Sequence, residues 1–133
     1  MADVVIDTHT AIWYLTEPHN LSIAAENAIN NAEANGVIFV SAMTIIEVIY
    51  LIDKGKMPID VLIVLRDALD DAAAAFEFVE ISRPIADAVE SVSRRIVPDL
   101  PDRVIAATAL HLGLPLVTKD SKIQTLTTIQ TIW

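Results

Sequence analysis

The sequence predicts an α/β protein: a three-layer α/β/α sandwich with a central parallel sheet flanked by helices. Two observations predict it. Short apolar, β-branched runs alternate with helical stretches along the chain, the pattern of parallel strands joined by helical crossovers. Four acids, Asp7, Glu47, Asp102 and Asp120, each sit just past an apolar run or in the first turns of a helical stretch. In a parallel sheet those positions converge on one edge, beyond the carboxyl ends of the strands.

Taken in order, Val4 to Ile6 is a short buried strand, followed by a brief helix from Thr8 to Leu15 that Pro18 closes off. Ser22 is an N-cap for an Ala-rich helix running to Asn35, with Gly36 as its C′ stop. Val37 to Ser41 is the second strand, and Ala42 to Lys54 the next helix, ended by Gly55. A helix from Asp60 to Ala75 follows Pro58, then a third strand from Phe76 to Ile81 and a helix from Arg83 to about Ile96. Val97 to Pro101 reads as a loop, Asp102 to Leu112 as a helix stopped by Gly113, and Leu116 to Thr118 as the fourth strand. Asp120 caps a one-turn helix, and Thr128 to Trp133 is a terminal strand.

At 133 residues, with no repeat or linker, the chain is expected to be one domain, 1–133. A hydrophobic fraction of 53% exceeds what a soluble monomer needs, so part of the surface is expected to meet a partner. The helix from Thr44 to Lys54 and the one from Asp60 carry apolar residues on nearly all faces, which points to a homodimer or to a groove between these helices that a partner's amphipathic segment fills. No apolar stretch is long enough to span a bilayer and no signal peptide is read. The absence of Cys excludes disulfides and thiolate metal sites and fits a reducing cytoplasm. A net charge of −9 argues against broad electrostatic binding of nucleic acid. Arg94, Arg95, Arg103, Lys119 and Lys122 nevertheless cluster in the C-terminal part, where they would form a local basic rim.

Each acid also has a structural explanation. Asp7 and Asp120 fit N-caps, Glu47 fits a capping box led by Thr44, and Asp102 suits the dipole at a helix start. The four together are harder to explain that way. Carboxylates gathered at one edge repel, and a hard divalent cation relieves the repulsion; oxygen-only donors suit Mg²⁺ or Mn²⁺. The chemistry such a site supports is metal-assisted phosphodiester hydrolysis. His9 is placed to line the crevice, though a half-buried helical histidine is the favoured reading; Trp13 and Tyr14, one turn from the acids, are placed to stack on a base, though core packing or a dimer contact is favoured.

Four segments, in order and at fitting spacing, resemble the PIN-domain ribonucleases, and among them the VapC-like toxins of VapBC toxin–antitoxin systems. They are Val5-Ile6-Asp7-Thr8-His9, Ser41-Ala42-Met43-Thr44-Ile45-Ile46-Glu47, Asp99-Leu100-Pro101-Asp102-Arg103-Val104-Ile105-Ala106-Ala107, and Leu116-Val117-Thr118-Lys119-Asp120. The resemblance implies a strand order of 3-2-1-4-5, with Asp7 and Asp120 facing each other at the switch point. It also implies Mg²⁺- or Mn²⁺-dependent cleavage of RNA, a cognate antitoxin as partner, and Asp7, Glu47 and Asp102 as the central acids, with Asp120 at a more variable position. Thr8 and Thr118 are expected to hold the substrate phosphate or orient a carboxylate, Asp99 to cap a helix or stand in an outer shell, and Arg103 to pair with an acid or reach a phosphate.

Two alternatives have sequence counterparts. A haloacid-dehalogenase-like phosphatase also opens with an Asp after its first strand, but needs a second Asp where His9 stands. A non-catalytic binding module of the same fold would use the acids only as helix-terminal residues.

Overall fold

A computed structural model describes residues 2–133. The chain runs β1 (Val4–Ile6), α1 (Thr8–Thr16), α2 (Ile23–Asn35), β2 (Ile38–Ser41), α3 (Ala42–Asp53), α4 (Ile59–Asp70), β3 (Phe76–Val79), α5 (Arg83–Ala88), α6 (Leu100–Leu112), β4 (Leu116–Val117), α7 (Ser121–Gln124) and β5 (Thr131–Ile132). The strands form one sheet in the order β3-β2-β1-β4-β5, every pair parallel, as the sequence implies.

β1 is the central strand. Its register sets Ile6 beside Val40 on one side and Val117 on the other. All three of its residues are buried, because alternating side chains meet helices on opposite faces. Val4 and Ile6 join one core with Ala25 and Ile29 of α2, Val48 of α3 and Leu65 of α4. Val5 joins the other with Ile85 of α5, Ile105 and Ala109 of α6, and Ile123 of α7. Two apolar layers thus clamp the sheet, and only its two ends remain open to carry chemistry.

Several boundaries differ from the sequence reading, each for a local reason. The helix expected to reach Ala75 ends at Asp70. Two successive carboxylates, Asp70 and Asp71, oppose the dipole at that end, and Asp71 folds its side chain onto the Ala73 N–H at 2.9 Å. The helix expected to reach Ile96 stops at Ala88 and tightens into a 3₁₀ turn, Val89–Ser91. The Arg103 guanidinium draws the exposed carbonyls there, donating to Val89 O and Val92 O at 3.0 Å each. α6 begins at Leu100 rather than Asp102, with Pro101 in its first turn, where a missing N–H has no consequence. Three strands are shorter than the apolar runs, β3 ending at Val79, β4 at Val117, and β5 spanning two residues.

Gly113 ends α6 in the left-handed region, φ 67°, as a C′ glycine does. Gly36 acts differently. Its backbone is extended, φ −158°, so the expected left-handed stop is absent. A Cβ there would lie 2.5 Å from Asp3 Oδ1, and that oxygen accepts the Val37 N–H at 2.9 Å. The glycine therefore permits a close crossing of chains at the start of β2.

Candidate active site

The switch point of the sheet lies between β1 and β4, whose connections depart in opposite directions. Beyond the ends of these strands opens a cleft of about 590 Å³, walled by Asp7, Glu47, Asp99, Asp102 and Asp120. The four acids singled out in the sequence thus share one cleft. Four separate stretches of chain deliver them: the turn after β1, the second turn of α3, the first turn of α6 and the turn after β4.

Asp7 is 7% exposed and held at both oxygens. Oδ1 caps α1 by accepting the Thr10 N–H at 2.9 Å, and Oδ2 accepts the Thr118 hydroxyl at 2.5 Å. Thr118 Oγ1 in turn accepts the Asp120 N–H at 3.0 Å. One threonine therefore couples the acid after β1 to the acid after β4. Asp120 caps α7, its Oδ1 accepting from Lys122 N and Ile123 N at 2.9 Å. The capping explanation is accordingly correct for these two acids, and capping leaves each of them facing the cleft.

For Glu47 the capping-box reading fails, while Asp102 does stand in the first turn of its helix, where the dipole favours an anion. Ser41, not Thr44, caps α3, three residues earlier than the capping-box reading, so Glu47 has no helix N–H to serve. Its carboxylate takes the Thr8 hydroxyl at 2.6 Å, and Thr8 lies 3.2 Å from the Thr44 hydroxyl. Asp99 caps α6, accepting the Asp102 N–H at 3.2 Å, which leaves the Asp102 side chain pointing into the cleft. Thr8 and Thr118 thus orient carboxylates.

Arg103 corrects its expectation. Both of its bonds go to backbone carbonyls, and it makes no ion pair; among the described residues the salt bridge is Arg83 with Asp87. The expected basic rim reduces to Lys119, the lysine or arginine that lines the cleft among the described residues. Two residues assigned elsewhere by sequence line it too. His9 is exposed rather than half-buried, and Trp13 faces the cleft while its other side packs on the core. Their spacing, four apart on the helix that Asp7 caps, is the signal that places them beside it.

The electrostatics are those of crowded like charges. Burial, followed by the fields of Asp99, Asp120 and Glu47, pushes the Asp102 carboxyl up to about 7. Burial likewise raises Glu47, against the Thr8 hydrogen bond that favours its anion. Among the described residues, no three such side chains are drawn close enough to form a ready-made coordination set. The donors nevertheless suit a hard cation in type: carboxylate oxygens, mutually repelled and partly desolvated.

Fold and site together define an open parallel α/β protein with a carboxylate cluster, braced by threonines, at its switch point. The chain belongs to the PIN domain family, whose model matches residues 4–127. It is 32% identical over 124 residues to Ribonuclease VapC22 of Mycobacterium tuberculosis, covering 93% of this chain and 92% of that protein. Its fold matches VapBC2 from Rickettsia felis, solved bound to a promoter DNA fragment, with TM-score 0.73 and 16% identity over 97% of this chain and 96% of that one. DNA-bound VapBC from Salmonella typhimurium matches with TM-score 0.71 and 20% identity over 98% and 97%.

Proposed function

We propose that this chain is an endoribonuclease, the toxin of a toxin–antitoxin pair, working on RNA phosphodiester bonds as one domain, 1–133, in the cytoplasm. The observation that carries the reading is the convergence of Asp7, Glu47, Asp102 and Asp120 in one cleft, in a chain 32% identical to a named ribonuclease over nearly its full length. The antitoxin partner is supported by the fold's likeness to toxin–antitoxin complexes. An apolar groove of about 320 Å³ beside α1 and α4, with Ile12, Met57, Val61 and Val64 in its wall, suits an amphipathic segment.

Asp7, Glu47, Asp102 and Asp120 are the residues that would hold Mg²⁺ or Mn²⁺. A bound ion supplies positive charge for a phosphate oxygen and acidifies water for attack. The chain's own work is positional. Thr118 and the Thr10 N–H fix the Asp7 carboxylate from two sides, and Thr8 fixes Glu47. Such bracing by neighbouring hydroxyls tunes and orients donors; its loss typically costs about 10- to 100-fold in affinity or activity.

The test is cleavage of single-stranded RNA in Mg²⁺. Wild-type protein should cut and EDTA should stop it. Asp7→Ala and Asp102→Ala should each abolish cleavage with the fold intact, Asp120→Ala should be milder, and Thr118→Val should lose about 10- to 100-fold. Equal activity in wild type and Asp7→Ala would mean a contaminating nuclease. Calorimetry with no Mg²⁺ binding above background would favour the acids as purely structural caps.

A further inference from the structure

We propose that Trp13, backed by Trp133 and flanked by Lys119, forms a subsite for one unpaired nucleobase and its adjoining phosphate beside the acidic cleft. The subsite rests on the ribonuclease reading above and gives it a substrate-positioning element.

The cleft has two chemically distinct walls. One is carboxylate: Asp7, Glu47, Asp99, Asp102 and Asp120. The other is Trp13, His9 and Lys119. A polyanion entering this cleft, in a chain of net charge −9, is repelled by the first wall, and among the described residues that line it Lys119 is the lysine or arginine that attracts it. Substrate phosphates should therefore track past Lys119.

The indole is built as a platform. Trp13 is half-buried and packs on the core. The Trp133 ring lies 5.8 Å away at 54°, and the His9 ring, one turn earlier on α1, lies 5.6 Å away at 53°. These tilted contacts hold the indole from its sides, so a base that stacks on it meets a ring already ordered.

Lys119 completes the pair. Its Nζ sits 5.6 Å from the Trp13 ring centre, and the residue is exposed. An exposed cation–π contact is weak, so the ammonium is free to turn to a phosphate while the base takes the ring. Lys119 also lies directly after Thr118, which donates to Asp7. The backbone from which Lys119 reaches is thereby held beside the carboxylate centre. Stacking on an aromatic requires a base freed from its helix, so single-stranded or looped RNA is the substrate class.

The experiment uses the protein's two tryptophans. Trp133→Phe leaves Trp13 as the sole tryptophan, excited apart from the two tyrosines at the long-wavelength edge of indole absorption. It is titrated with oligoadenylate, oligouridylate and an abasic oligonucleotide of equal length, with Ca²⁺ replacing Mg²⁺. Both base-containing strands should quench Trp13, adenine more strongly, and the abasic strand should not. In the otherwise wild-type protein, Trp13→Leu keeps apolar bulk without a ring and should weaken binding and raise KM by about 5- to 100-fold. Trp13→Phe should recover most of that loss. Lys119→Gln should lower the slope of log K against log salt by about 0.7, the value for one single-strand phosphate contact. Equal quenching by the abasic strand, or a folded Trp13→Leu protein with unchanged KM, overturns the subsite while wild-type cleavage keeps the nuclease reading. Absence of wild-type cleavage removes both.

Discussion

Asp102 shows most directly what the cleft costs the free protein. Its carboxyl is raised from 3.8 to about 7 by burial first and then by Asp99, Asp120 and Glu47. Between those values the folded state holds a proton that the unfolded chain has released. The folded protein then binds more protons, so stability falls as pH rises. The contribution is fully present below about pH 4, declines through the window from about 4 to 7, and is absent above it. Metal-free protein should therefore melt at a lower temperature at pH 8 than at pH 5. Asp102→Asn should flatten that part of the profile and raise the melting temperature at pH 8. Millimolar Mg²⁺ or Mn²⁺ should do the same for wild type, because a ligand bound only to the folded state stabilises it. Thermal melts across pH, with and without metal, measure all three. A wild-type profile indifferent to millimolar Mn²⁺ would remove the main support for a metal site. The residue scale is also where sequence reading was uneven. Asp7, Glu47, Asp102 and Asp120 are legible because strand ends and helix starts fix where a side chain emerges, whatever the details of packing. Trp13 and His9 are not, because a helix turned by a fraction of its period changes which residues face the cleft, and tertiary packing sets that rotation.

At the scale of elements, the loop between α5 and α6 depends on Arg103. Two hydrogen bonds from one guanidinium tie the 3₁₀ turn to α6: one supplies a donor to Val92 O, and the other joins the Val92 N–H already donating to Val89 O. Hydrogen bonds involving a charged donor contribute about 1.5 to 3 kcal/mol each, and they are not fully additive. Arg103→Leu should destabilise the fold by about 2 to 4 kcal/mol. Mg²⁺ affinity should change little once the protein is folded, because Arg103 contacts none of the acids. Urea denaturation checks the first part and calorimetry the second. A stable Arg103→Leu protein with lost metal binding would return Arg103 to the site. No local signal in the sequence distinguishes this arrangement from the expected ion pair: the partner carbonyls lie 11 and 14 residues away and become available only because α5 stops early. The same limit explains the misread ends of α4 and α5. Helical pattern persists in the sequence past Asp70 and past Ala88, but a helix continues only while its carbonyls find no better donor and its charges suit its dipole. The centres of the elements were readable because both faces of the sheet are covered and apolar periodicity is enforced there.

Across the whole molecule, the surplus of apolar residues resolves into a surface. Ile46, Ile49 and Tyr50 on α3 are 49%, 37% and 58% exposed, at spacings that place them along one stripe. Ile59 and Ile63 on α4 are 54% and 51% exposed. The expectation that both helices carry more apolar surface than one core stripe needs is thus met on their outer faces, while Leu62, which could have shared the patch, is buried. α3 and α4 pack together, so the two stripes sit on neighbouring helices. A stable interface removes about 800 Å² per partner, roughly a tenth of this chain's 7186 Å² surface, a patch within the reach of two adjoining helices. The aqueous cost of leaving five large apolar side chains exposed, about 25 cal/mol per Å², favours covering them, and a second copy would bring the same apolar stripe to a symmetric contact. Light scattering at tens of micromolar should give the mass of a dimer. Ile49→Lys or Ile63→Glu should shift it to monomer with the fold and the cleft unchanged, since neither residue reaches the site. A monodisperse wild-type monomer at that concentration would refute self-association, and the same patch would then await a different protein.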